Sequence, residues 1–162
     1  MLVGPPGAGK STVARRLAAR LGMAARDTDR DVESQAGTSI GALFVEHGEA
    51  HFRDLEAQAV RAALAEHEGV VSVGGGAVLD PGLRELLAGL TVVFLDVSIS
   101  AAAPRIGFNR DRPLLLGSPR ASWVRLMEAR RPLYEEVSVS RVETDGLTPD
   151  EVAERVVALV AP

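Results

Sequence analysis

"MLVGPPGAGKST", residues 1–12, sets three apolar residues before a glycine- and proline-rich turn and then begins a helix. Residues 4–11 fit G-x-x-x-x-G-K-[ST], and in the following KSTVARRLAARLG the residues Val13, Leu17 and Leu21 recur at helical spacing with Gly22 as a stop. Strand, loop and helix in that order form the setting in which this spacing cradles phosphate. Glycines let successive N–H groups turn toward one anion, and the helix N-terminus adds its partial positive charge. Lys10 is placed to reach the β and γ phosphates of a nucleotide, and Ser11 to offer its hydroxyl to Mg²⁺. Of 18 lysines and arginines Lys10 is the only lysine. A plain Gly/Pro turn explains neither the spacing nor that compact ammonium.

The bulk properties agree with an enzyme or binding protein. A chain of 162 residues is about one domain's worth, and a single globular domain over 1–162 is expected. The composition, 46% hydrophobic and 25% charged, is that of an ordinary soluble protein. Net charge is −4 and the basic residues are scattered among acids, so no face-wide positive field points to nucleic acid. With no cysteine, neither a disulfide framework nor a thiolate metal site is available. No basic segment followed by a long apolar stretch opens the chain, and no window of about 18 apolar residues occurs, so neither a signal peptide nor a membrane span is expected. A cytoplasmic protein fits.

Apolar, β-rich runs at 70–73, 91–97 and 140–144 alternate with helical patterns at about 10–21, 50–67, 82–88, 121–136 and 149–160, and MAARDTD (23–29) reads as a short strand end. Strands separated by helices indicate βαβ units and a parallel sheet covered on both faces. Ligands then bind beyond the carboxyl ends of the strands. Three such ends carry distinctive residues, the cradle, DTD at 27–29 and GGG at 74–76, and they should converge on one crevice.

If the strand persists through Asp27 and Asp29, both carboxylates point to one side near the cradle. One could hold Mg²⁺ through water while the other accepts a proton from an attacking hydroxyl; alternatively a residue of DTD caps the short helix RDVESQA. Arg53, four residues after Glu49 and three before Glu56, reads on spacing alone as an exposed helix ion pair. Arg130 and Arg131 precede Pro132 near an apparent helix end, where cations suit the dipole. His47 and His51 are spaced i, i+4, but the H-E-x-x-H order fails and Gly48 interrupts the helix, so no zinc site is expected. The stretch 107–120 is glycine-bounded and arginine-rich; it suits a mobile lid whose Arg112 neutralises charge on a transferred phosphoryl group, or else an exposed polar loop.

Taken together, GPPGAGKST, DTD, FR followed by Glu56, GGG, RPLL and a late R-x-P-L-Y, in this order over nearly the whole chain, resemble the shikimate kinases of the nucleoside monophosphate kinase-like P-loop group. The resemblance implies an α/β fold with a P-loop NTPase-type parallel sheet flanked by helices, a mobile lid at about 107–120 and a small substrate-binding helical region at about 30–62. It implies transfer of the γ-phosphoryl group of MgATP to the 3-hydroxyl of shikimate by a monomer. ATP would lie on Gly7, Ala8, Gly9, Lys10, Ser11 and Thr12, with Arg105 stacking on adenine and Pro149 in the adenine loop. Asp29 would bind the acceptor hydroxyls and act as base, Arg53 and Arg130 would grip the carboxylate, and Ser11, with Asp27 through water, would hold Mg²⁺. Lys10, Asp29 and Arg112 would be catalytic. Gly74, Gly75 and Gly76 would let the acceptor lie directly against backbone, where a Cβ would take up the space. Phe44 and Phe52 would be the apolar walls. Another small-molecule kinase of the group, or a nucleotide-binding regulatory module, lacks a reason for Arg53, GGG and Arg130 together.

Overall fold

The structure, a computed structural model, describes residues 1–106 and 118–160. Five parallel strands, β1 (Leu2–Val3), β2 (Ala24–Asp27), β3 (Gly69–Ser72), β4 (Val93–Asp96) and β5 (Ser140–Glu143), form one sheet in the order β2-β3-β1-β4-β5. The helices are α1 (Lys10–Leu21), α2 (Thr28–Ala36), α3 (Ile40–Glu66), α4 (Pro81–Ala88), α5 (Ile99–Ile106), α6 (Pro119–Val137) and α7 (Pro149–Val160), with a short 3₁₀ turn at Ala77–Leu79.

The central strands are apolar on both faces because helices cover both. Every residue of β1 and β4 is buried, whereas the edge strands β2 and β5 keep most of their residues at least partly open to solvent. Helix α1 packs on α7, and α4 on α6. A separate, smaller apolar cluster of Val32, Leu43, Phe52 and Ala59 joins α2 to α3 beyond the sheet. Phe44 packs at its margin, its ring centre 4.8 Å from that of Phe52. Of the two phenylalanines expected as pocket walls, Phe52 is buried in this cluster and Phe44 is partly buried against it.

The chain crosses β1 on its way from β3 to β4, so β1 is the point from which the sheet extends in both directions. Its carboxyl end opens into the glycine loop, which places the cradle at the switch point where such sheets bind ligands.

Several expected elements change. The strand does not persist to Asp29; it ends at Asp27, whose Oδ1 accepts from the backbone N–H groups of Asp29 (3.1 Å) and Arg30 (3.4 Å) and so caps α2. Arg26 ties that corner down through Asp31 (2.7 Å) and Glu66 (3.0 Å). Helix α3 starts ten residues before the expected 50, with Ser39 as its cap, and Gly48 (φ 81°, ψ 170°) breaks it as its composition suggests. The helix expected at about 121–136 is α6, which runs through Pro132 to Val137 and so leaves Arg130 and Arg131 about two turns before its end. An interior proline ordinarily costs a helix about 3 kcal/mol, and here the buried Tyr134 and Val137 hold the last turn in place. The helix-end reading of Arg130 and Arg131 is therefore wrong. Helix α5 was not apparent in the sequence, being short and interrupted by Pro104. Residues 107–117, which carry Arg112 and most of the expected lid, lie outside the described residues, while Pro119 and Arg120 belong to α6.

Candidate active site

The loop after β1 is built to receive an anion. Gly9 caps α1 in the left-handed region (φ 85°) with no side-chain oxygen to bond the first N–H groups, and the first turn holds no acidic residue. Thr12 and Val13 donate their N–H groups to the Gly9 carbonyl, and the positive end of the helix dipole lies at the cavity that this first turn lines. The Lys10 ammonium lies over the loop, donating to the carbonyls of Gly4 (2.8 Å) and Pro5 (3.2 Å). From α6, the buried Trp123 donates its indole N–H to the Pro6 carbonyl at 3.0 Å and ties that helix to the cradle.

A cavity of about 480 Å³ opens from this loop. Its walls include Gly7, Ala8, Gly9, Lys10, Ser11 and Thr12 of the cradle, Asp29, Gly75, Arg105 and Pro149. The Arg105 guanidinium donates to the Gly7 carbonyl (3.3 Å) and to the hydroxyl and carbonyl of Thr144 (3.3 and 3.2 Å). Thr144 was not singled out in the sequence. It is buried, and its own N–H and hydroxyl reach back to the Asp96 carbonyl.

The triple glycine follows β3 and faces the start of α2 and the middle of α3. A Cβ on Gly74 would stand 2.5 Å from Oδ1 of Asp29 and 2.6 Å from Oε1 of Glu56, and one on Gly76 would overlap the Arg53 guanidinium. The space that side chains would fill is thus taken first by the site's own polar groups. The Gly74 N–H donates to the buried hydroxyl of Thr28 at 3.0 Å, which fixes the turn against the start of α2 beside Asp29.

Arg53 is not the exposed ion pair its spacing suggested. It reaches Glu49 at 3.2 Å, but its NH1 donates to Glu56 at 2.6 Å, and the Glu56 side chain is only 3% exposed. Burial pushes the Glu56 carboxyl above the usual glutamate range, with Arg53, Arg130 and Lys10 pulling the other way. The bonds to Glu49 and Glu56 engage three of the five guanidinium donors. Among the described residues that leaves two of its N–H groups for a further anion.

Arg130 is buried in α6, one helical turn before Tyr134, whose hydroxyl donates to the Gly75 carbonyl at 2.6 Å. Its neighbour Arg131 turns elsewhere, forming a two-pronged pair with Asp96 (2.7 and 2.9 Å) at the end of β4. Lys10, Asp29, Arg105, Pro149 and the cradle therefore share one cavity, while Arg53, Arg130 and the glycines meet beside it around Asp29 and Glu56. Asp27 stands one position back as the helix cap. His47 and His51 have ring centres 5.0 Å apart on the outer face of α3, and among the described residues no three His, Cys, Asp or Glu side chains gather as a metal site.

Comparison with known proteins agrees with this geometry. The shikimate kinase family model matches residues 6–161. A curated shikimate kinase of Streptomyces coelicolor is 55% identical over 95% of this chain and 90% of its own length. Among solved structures, a shikimate kinase from Acinetobacter baumannii in complex with shikimate superposes with a TM-score of 0.94 at 34% identity, covering 98% of this chain and 90% of that one. A shikimate kinase from Aquifex aeolicus gives 0.81 at 33% identity, covering 97% and 92%. Sequence, fold and the meeting of a phosphate cradle with an arginine-lined glycine turn leave one assignment, and the chain belongs to the shikimate kinase family.

Proposed function

We propose that the residues gathered around this cavity perform the family's reaction, ATP-dependent phosphorylation of the 3-hydroxyl of shikimate to shikimate 3-phosphate. The observation that carries the reading is the shared cavity: Asp29 and Gly75, from the acceptor side, line the same space as the cradle and Arg105. A hydroxyl beside Asp29 is then next to the place where the terminal phosphate of a bound nucleotide lies.

In this reading Gly7 to Thr12 hold the phosphates through backbone N–H groups, Lys10 neutralises charge between the β and γ positions, and Arg105 and Pro149 flank adenine. Arg53 and Arg130 grip the acceptor carboxylate, for which a planar guanidinium fork is the natural partner. Gly74, Gly75 and Gly76 form the floor, and Arg112 is the lid cation. Transfer has a loose transition state, so holding the two substrates in line and spreading the developing charge supply most of the rate.

Mg²⁺ fits the donor set. It keeps several waters and takes few protein ligands beside substrate phosphates, and Ser11 lines the cavity while the cap bonds of Asp27 use only Oδ1. Bound there, the metal would offset phosphate charge, with Ser11 as direct ligand and Asp27 acting through water. The chain is read as a single kinase domain, a cytoplasmic monomer whose partners are shikimate and ATP, with the acceptor-binding helices at about 30–62. Among the described residues no helix is long and apolar enough to cross a membrane.

The role of Asp29 is tested by Asp29→Asn, which keeps the hydrogen-bonding shape and removes the base. General-base catalysis supplies about 10² to 10⁴ in rate, so kcat should fall by about 10² or more, and the acid limb of the pH–rate profile should disappear. A kcat nearly unchanged across pH would reduce Asp29 to an anchor for the hydroxyls.

A further inference from the structure

A cradle that presents N–H groups to an anion has to turn its carbonyls the other way, because C=O and N–H lie on opposite sides of each planar trans peptide. What holds the acceptors of such a loop therefore aims its donors. Each carbonyl from Gly4 to Gly7 has a donor here. Lys10 holds those of Gly4 and Pro5 at 2.8 and 3.2 Å, the indole of Trp123 holds that of Pro6 at 3.0 Å, and Arg105 holds that of Gly7 at 3.3 Å.

The three holders differ in what else they do. Lys10 and Arg105 line the cavity, and both are read as meeting the nucleotide themselves. Trp123 is not among the described residues that line it; it is 4% exposed and belongs to the main apolar core. A buried indole N–H needs an acceptor somewhere, and the one it has is in the cradle. Its neutral grip can persist when Lys10 turns to the phosphates. The peptide it grips also matters. Pro5 and Pro6 have no N–H, so the first donor the loop offers beyond Gly4 is that of Gly7, which shares its peptide with the Pro6 carbonyl. Gly7 has φ 85°, and a Cβ on it would stand 2.9 Å from side-chain carbons of Ala102 and Ile106, so the loop is closely confined at this point.

We propose that Trp123 is a positioning residue for the nucleotide: its indole N–H holds the Pro6 carbonyl and thereby aims the Gly7 N–H at the phosphates, without touching the substrate itself. The proposal rests on the reading of residues 7–12 as the phosphate cradle. It is tested on the full chain by replacing the tryptophan in two ways. Trp123→Phe removes the N–H together with part of the ring. Because the sequence has one tryptophan, expression in a tryptophan auxotroph fed benzothienylalanine changes that position alone, keeping the bicyclic shape with sulfur where the N–H was. Each protein is compared with the unsubstituted one by calorimetric binding of MgADP, by initial rates with each substrate varied, and by thermal unfolding.

Both replacements should weaken MgADP binding and raise the KM for ATP about tenfold, the scale of one hydrogen bond to a charged group. The KM for shikimate should change less than about twofold. Normal nucleotide binding by the benzothienyl protein overturns the proposal whatever Trp123→Phe shows, since the bulk of the ring and not its N–H then matters. A KM for shikimate that rises in step with that for ATP also overturns it, because Arg130 lies about two turns further along the same buried face of α6 and a loosened helix would disturb both sites. A benzothienyl chain that does not fold overturns it too, the bond then serving the fold first. If the unsubstituted protein binds MgADP but does not phosphorylate shikimate, the proposed reaction fails while the binding measurement still decides the role of Trp123. If it binds no MgADP, the cradle reading falls and the role of Trp123 falls with it. Should Trp123→Phe unfold, the benzothienyl protein alone is read against the same outcomes.

Discussion

Lys10→Met is expected to lower kcat by about 10³ or more while leaving the KM for shikimate almost unchanged. Removing a single neutral donor from a preorganised anion site costs about 10² to 10³ in rate, and Lys10 is a full cation, so about 4 kcal/mol of transition-state stabilisation is a lower bound. The fold should be indifferent, because the bonds of Lys10 to the carbonyls of Gly4 and Pro5 lie within its own loop. Lys10→Arg makes a sharper comparison. The chain uses arginine for every other basic residue, yet a planar fork cannot follow a compact charge as it migrates between phosphates, and about 10² in kcat should still be lost. Initial rates with each substrate varied in turn measure both effects. An unaltered kcat in the methionine variant would remove the cradle from the chemistry.

Arg53→Ala should reduce kcat/KM for shikimate by about 10² to 10³, because charge-assisted bonds to a carboxylate contribute about 1.5–3 kcal/mol each and are commonly paired. It has a second, separable consequence. Glu56 loses its 2.6 Å partner while remaining buried. Its carboxyl already titrates above the ordinary range because burial outweighs the nearby cations, and removing the first of those cations raises it further. The folded chain then holds a proton that the unfolded chain releases above pH about 4.3. Stability is therefore lost as pH rises through the interval between the unfolded and folded values. The variant's Tm deficit should be small near pH 4 and grow toward pH 8, and adding Glu56→Gln should remove that growth without restoring shikimate turnover. A deficit independent of pH would show that Glu56 is not what the arginine supports.

The sequence was most legible where chemistry leaves a fixed spacing. GPPGAGKS specified the loop, the following helix and, with the alternating patterns after it, the parallel sheet. The glycine run was legible as a close approach, although what approaches is first Asp29, Glu56 and Arg53. Less legible were contacts made over long separations. The Tyr134 hydroxyl meets Gly75 from 59 residues away, and no local pattern announces it. Glu56 carried a signal that could have been used, since it falls on the buried stripe Phe52, Glu56, Ala59, Val60, Ala63 of α3, where a charge is uncommon unless paired. Local punctuation was outweighed by context in two places. Pro132 sits inside α6 because burial of Tyr134 and Val137 outweighs a missing hydrogen bond, and Asp27 ends its strand because it caps the next helix.

The most direct test is ADP release from MgATP by the intact protein with shikimate, gluconate, AMP or no acceptor. Rapid release with shikimate and only background with the other three is the result expected of a cradle that shares its cavity with a carboxylate-gripping acceptor site. Release with gluconate or AMP in place of shikimate, or no release with any acceptor despite bound ATP, would contradict it.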